Sequence, residues 1–147
     1  IERLYLASQD GVEVDLVVRG ACALIPQRQG LSDRIRVTSI VDRHLEHSRI
    51  YAFQASDEMY LSSADWMPRN FFSRLELAFP VRDPRLKSFM HQIVIPTYLG
   101  DTARAKSLTA DGTWIPQVGK AGVRAQQVFE RLALTRYRGT PLSRLEK

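Results

Sequence analysis

Along the chain the apolar positions change period several times, and each change marks an element. Ile1, Leu4 and Tyr5 recur at helical spacing, and Ala7-Ser8 carry the pattern to Gly11, a helix stop. No capping residue precedes Ile1, so this helix reads as truncated and the chain as part of a longer protein. Glu13–Val18 alternates and then turns fully apolar, the pattern of a buried strand. Ala21–Ile25 continues extended into Pro26, and Gln27–Asp33 reads as a loop. Ile35–Val41 is β-branched and predicts a second core strand. A short helical turn is predicted over Asp42–Glu46. Arg49–Phe53 and Met59–Ser62 predict a strand and its return about the polar turn Gln54–Glu58. Arg74–Phe79 alternates as an outer strand.

Asp83-Pro84 opens a helix with Leu86, Phe89, Met90, Ile93 and Val94 on one side, and Pro96 is expected to end it. Asp101–Lys106 reads as a polar stretch, extended or helical, at a surface, and Gly112–Gly122 as a loop holding Trp114. Val123–Tyr137 predicts a last amphipathic helix. Strands interleaved with helices make this an α/β domain, expected to be one unit over residues 1–147 with a flexible tail after about 139.

Composition changes this picture little. The chain has 147 residues, 44% hydrophobic and 25% charged, which is ordinary for a globular domain and argues against disorder. The longest apolar runs are strand-sized, well short of the roughly 20 residues a membrane helix needs. One cysteine, Cys22, excludes a disulfide within the chain; its apolar setting predicts a packed thiol, and a cytoplasmic home is the default. The net charge of +5 favours an anionic partner, without choosing among nucleotide, polyphosphate and nucleic acid.

Three segments carry candidate chemistry. In Val17-Val18-Arg19-Gly20 an arginine ends a strand, where α/β sheets bind ligands, beside a glycine that lets phosphates approach the backbone. In Leu45–Tyr51, His47, Arg49 and Tyr51 share a strand face, which sets an imidazole beside a guanidinium. In Tyr60–Met67, hydroxyls such as Ser63 are able to donate to phosphate oxygens and Asp65 to orient a basic group. Trp66 reads as core, and Arg69, Asn70 and Arg74 follow.

A histidine, a basic residue two places on and a later Ser-Ser-Ala-Asp segment resemble half of a phospholipase D superfamily site. The phosphodiesterase branch has lysine where Arg49 stands and aspartate where Gln54 stands. The likeness to polyphosphate kinases is closer. It runs through Val14–Gly20, Gly30-Leu31-Ser32, Ile35-Arg36-Val37, Ser39-Ile40-Val41, Leu45–Tyr51, Ser63–Asn70, Phe79-Pro80, Asp83-Pro84 and Arg124-Ala125-Gln126. Gln27 departs from it, standing where that family commonly has glycine.

The resemblance implies the last of four domains, a phospholipase D-like fold with a central mixed β-sheet flanked by helices. It implies ATP or ADP and inorganic polyphosphate as substrates, with a phosphorylated histidine in the preceding domain. His47 resembles the facing histidine, a general acid or transition-state stabiliser, and Arg19 and Arg74 resemble arginines on the nucleotide phosphates. Arg49, Ser63 and Asp65 would support them. Mg²⁺ would serve the whole enzyme through ligands outside this chain, so no metal site is expected here. Preceding domains and further copies of the full-length enzyme are the implied partners, and nucleic acid is not. The cytoplasm, or the periphery of the inner membrane, is the implied location. Two other readings remain: a phospholipase D-like phosphodiesterase, and a non-catalytic module that holds polyanions.

Overall fold

The computed structural model describes residues 1–117 and 122–137, apart from the side chains of 136 and 137. The predicted flexible tail lies outside the described residues. The chain forms two compact units, Ile1–Leu45 with Thr97–Lys147, and Glu46–Pro96.

The first unit holds α1 (Glu2–Gln9), β1 (Val14–Val17), β2 (Ile35–Ile40) and, after the second unit, β6 (Ala105–Leu108), β7 (Trp114–Pro116) and α5 (Ala125–Tyr137). Its mixed sheet runs β1-β2-β6-β7, with β1 parallel to β2 and the other pairs antiparallel. Leu24, Ile35, Val37 and Leu108 form the buried centre, and Leu4, Tyr5, Leu16, Cys22 and Trp114 pack on it. β1 is an edge strand rather than a strand buried on both faces, and Val17 is exposed. Charge occupies that edge: Arg36 pairs with Asp15 and Glu13, and Arg34 with Glu13. Charged edges of this kind discourage pairing with another chain.

The second unit holds β3 (Ile50–Phe53), β4 (Glu58–Ser62), α2 (Pro68–Ser73), β5 (Ala78–Pro80) and α3 (Pro84–Phe89). β3, β4 and β5 form an antiparallel sheet in that order. A 3₁₀ turn, Gln54–Ser56, joins β3 to β4, and Asp57 closes it at φ 50°. Lys87 on α3 holds that corner by donating to the Asp57 carboxylate at 2.6 Å. Asp83 caps α3 by accepting from the Arg85 N–H at 2.8 Å, ahead of Pro84 at the first helical position.

Several sequence expectations are corrected. Asp42–Glu46 is irregular rather than helical. Its polar groups are taken by distant partners: the Asp42 carboxylate by Arg124, and the His44 N–H and carbonyl by the Gln126 amide at 3.0 and 2.7 Å. Pro96 does not end its helix. Met90–Val94 is a π-turn, with the Ile95 N–H bonded to the Met90 carbonyl, and α4 (Ile95–Leu99) continues beyond. Proline has no N–H and crowds the carbonyl four residues back, so a widened turn just before it relieves both conflicts.

Asp101 is not surface but fully buried. Its Oδ1 accepts from the N–H groups of Ala103, Arg104 and Ala105, and its Oδ2 from Ala125 at the start of α5. A buried carboxylate is tolerable because those donors replace its water. Trp114 lies on β7 and not in a loop. The predicted strand Arg74–Phe79 shrinks to Ala78–Pro80, because α2 runs to Ser73 and Glu76 turns toward Ser63 and Asn70.

Candidate functional site

The second unit assembles most of the candidate residues. His47 lies just before β3 and is exposed. The Arg49 guanidinium makes four hydrogen bonds there. Nη1 donates to His47 Nδ1 at 2.7 Å and to the His47 carbonyl at 2.9 Å. Nε and Nη2 both donate to Asp65 Oδ1, at 3.1 and 3.0 Å. Arginine has no acceptor, so His47 Nδ1 must receive this bond and the ring proton sits on Nε2. Arg49 and Asp65 are both largely covered, at 13% and 25% side-chain exposure, which sets this pair apart from the open ion pairs of β1. Trp66 is not core: it is exposed and stacks on Tyr51, ring centres 5.7 Å apart.

The segment after β4 builds a second cluster around Glu76. The Ser63 hydroxyl donates to Glu76 and accepts from the Leu77 N–H at 3.0 Å. Its proton is therefore given to a neighbour within the fold. Asn70, buried on α2, donates to Glu76 Oε1 at 2.6 Å. The Ser63 and Asn70 hydrogen bonds, with the charges of Arg74 and Arg49, hold the Glu76 carboxyl below its usual range. Asn70 Oδ1 is buried and has no partner among the described residues. Arg74 follows α2 in extended conformation and is exposed.

Arg19 is carried by the first unit, just past β1, and is half-buried. The candidate residues thus divide: His47, Arg49 and Asp65 are joined by direct bonds, Ser63 joins a cluster with Glu76 and Asn70, and Arg19 stands on the other unit. Glu76 and the inward role of Asn70 escaped the sequence reading. The only signal was an acid two places after Arg74 inside an apparently alternating run.

Among the described residues no group of three or more His, Cys, Asp or Glu is placed to hold a metal ion. The site so described is an arginine-oriented imidazole and an acid-organised turn bearing an arginine, on the phospholipase D-like α/β fold.

Comparison with known proteins agrees with that description and sharpens it. A solved polyphosphate kinase from Porphyromonas gingivalis superposes with a TM-score of 0.85 at 39% identity, over 94% of this chain and 22% of that one. A polyphosphate kinase of Klebsiella pneumoniae is 48% identical over 130 residues, covering 86% of this chain and 19% of the relative. One of Burkholderia lata is 54% identical over 114 residues, covering 76% and 17%. Residues 1–126 match the family described as polyphosphate kinase C-terminal domain 2, and the chain belongs to that family. It spans about a fifth of the length of those curated relatives.

Proposed function

We propose that this chain is the C-terminal catalytic domain of a polyphosphate kinase that reversibly moves the terminal phosphate of ATP to inorganic polyphosphate. In this reading a histidine of a preceding domain carries the phosphate in transit. The present chain contributes Arg19, Arg74 and His47 to the phosphates, and Arg49 and Asp65 to the posture of His47. The bonded set His47–Arg49–Asp65, within a chain of this family, is the observation that carries the reading.

Phosphoryl transfer is catalysed mainly by in-line positioning and by neutralising charge on the transferred group. Arginine suits that task because its planar donors match phosphate oxygens. With Nδ1 occupied by Arg49, His47 offers an Nε2–H donor in a fixed orientation. That arrangement favours hydrogen-bond donation to a phosphate oxygen over release of a proton from an imidazolium. Mg²⁺ belongs to the whole enzyme in this reading. The described residues do not form a ligand set for it, and no step is assigned to it here. A cytoplasmic location and assembly into a homo-oligomer accompany the proposal. No described helix is long and apolar enough to cross a membrane.

The test uses the full-length enzyme. His47→Ala should slow polyphosphate synthesis by roughly 100- to 10,000-fold with folding intact. His47→Gln, which keeps a side-chain donor, should retain at least about tenfold more activity than the alanine variant. Near-normal turnover of His47→Ala would remove this residue from the mechanism. Equal loss in both variants would restore proton transfer as its role.

A further inference from the structure

Asp65 belongs to no strand or helix, yet its carboxylate meets Arg49 through two hydrogen bonds. The segment that carries it runs from the end of β4 to the start of α2. Within it the Ala64 N–H donates to Ser62 Oγ at 3.0 Å, and the Met67 N–H to the Asp65 carbonyl at 2.8 Å. These bonds shape the segment without tying it to β3. That tie comes from Tyr51. Its hydroxyl donates to the Ala64 carbonyl across a long 3.4 Å, and its ring stacks on Trp66 with the planes 18° from parallel. Residues 64 and 66 flank Asp65, so one side chain touches both neighbours of the aspartate. Tyr51 itself is fixed by the sheet, where it stands opposite Tyr60 of β4. It shares a face with Arg49, two residues back on the same extended segment. Burial pushes the Tyr51 phenol up, opposed by the Trp66 side chain and the charge of Arg49. The hydroxyl therefore keeps its proton, and so its donor, at neutral pH.

The geometry points to Tyr51 and Trp66 as positioning residues for the His47 imidazole, a role that rests on the reading of His47 as a group that meets phosphate. The contacts run in series. The aromatic stack holds residues 64–66 against β3, Asp65 holds Arg49, and Arg49 holds His47 Nδ1. Arg49 commits two donors to a single oxygen of Asp65, at 3.0 and 3.1 Å. A shift of about 1 Å in that carboxylate takes both beyond hydrogen-bond reach. The guanidinium is then free to turn, and His47 loses the donor that fixes its tautomer. An aromatic pair suits such a hold, because each ring is large, rigid and set by only two side-chain torsions. Trp66 is exposed, so core packing does not account for its stack. An exposed aromatic beside a phosphate site is also suited to stacking a nucleobase. The observations favour positioning, because both contacts of Tyr51 fall on the two residues that flank Asp65.

The test is a set of steady-state assays on the full-length enzyme. Trp66→Ala and Tyr51→Leu should each lower kcat for polyphosphate synthesis by about tenfold, with KM for ATP within about twofold of the parent. Tyr51→Phe keeps the stack and gives up only a long hydrogen bond, so it should stay within about threefold. Trp66→Ala removes an exposed ring and opens no cavity in this unit, which covers the case of a Tyr51→Leu protein that folds poorly. The deciding measurement repeats Trp66→Ala in an Asp65→Ala background. With nothing left to position, the second change should lower kcat by less than about twofold more. The same tenfold loss in both backgrounds marks a merely structural role and overturns the inference. A raised KM for ATP with kcat unchanged assigns the pair to base stacking and overturns it too, and Tyr51→Phe as slow as Tyr51→Leu removes the stack from the account. His47→Ala is assayed alongside. Near-normal turnover of that variant sinks the functional reading and this inference together. A crippled His47→Ala beside a Trp66→Ala within about twofold of the parent sinks the positioning role alone.

Discussion

The guanidinium of Arg49 faces two ways, gripping an aspartate with one side and a histidine with the other. Its planarity makes this possible, since four donors leave in fixed directions from one rigid group. Lysine keeps the charge but has no fork, so it cannot hold Asp65 and both His47 acceptors together. Arg49→Lys in the full-length enzyme should therefore lower kcat for polyphosphate synthesis by about 10- to 100-fold, with KM for ATP changed much less, because misorientation costs rate more than binding. Activity within about twofold of the parent would show that His47 does not depend on this hold. At this scale the sequence was informative where a contact follows from local spacing. His47 and Arg49 lie two apart on an extended segment, and their contact follows from strand geometry. Glu76 was hidden because its partners lie 13 and 6 residues away, and nothing in a strand-like alternation announces a carboxylate turned inward.

Elements show the same division. Those with a clear period, such as β2, β4 and α5, lie where the sequence placed them. The segments that differ are fixed by contacts remote in sequence or by backbone chemistry that periodicity does not express. Pro96 reads as a stop, yet a π-turn carries the helix past it. Gln27 adopts φ 54°, a left-handed conformation that explains why glycine would suit that position. The clearest case is the irregular stretch after β2, which is fastened to the start of α5. The Asp42 side chain is 2% exposed, and Arg124 donates to it through two nitrogens while Arg104 lies 3.6 Å away. The Arg124 hydrogen bond is the largest of the influences holding the Asp42 carboxyl down, at about 2. A carboxyl depressed by folding stabilises the native state above its unfolded value and ceases to do so as pH falls through the folded one. The Asp42 contribution should thus be complete above about pH 4 and fade toward about pH 2, amounting to roughly 2 kcal/mol. Asp42→Asn should lower unfolding stability by about that much at pH 7, and the gap to the parent should close near pH 2. Denaturant unfolding of both proteins across that range measures it, and a gap independent of pH would refute the linkage.

For the molecule as a whole, the open question is whether its excess of positive charge or its directed contacts do the work. A net charge of +5 attracts any polyanion, and a non-catalytic polyanion module would use that attraction alone. A phosphotransferase needs particular guanidinium groups at particular oxygens. The two differ in their response to salt. Raising ionic strength from about 0.1 to about 1 M shortens the Debye length from about 10 to about 3 Å, which erases diffuse attraction and leaves close contacts largely intact. Arg85 provides the control, since it is 90% exposed and paired with Asp83 in its own turn. In the full-length enzyme, Arg19→Ala and Arg74→Ala should each lower kcat/KM for ATP by about 10- to 100-fold at both salt levels, and Arg85→Ala by less than about twofold. If all three replacements act alike at low salt and none acts at high salt, the chain holds phosphate by charge alone and the catalytic assignment of Arg19 and Arg74 fails. If Arg19 and Arg74 keep their effect while Arg85 has none, the cationic surface serves to gather the substrate and two fixed arginines serve to use it.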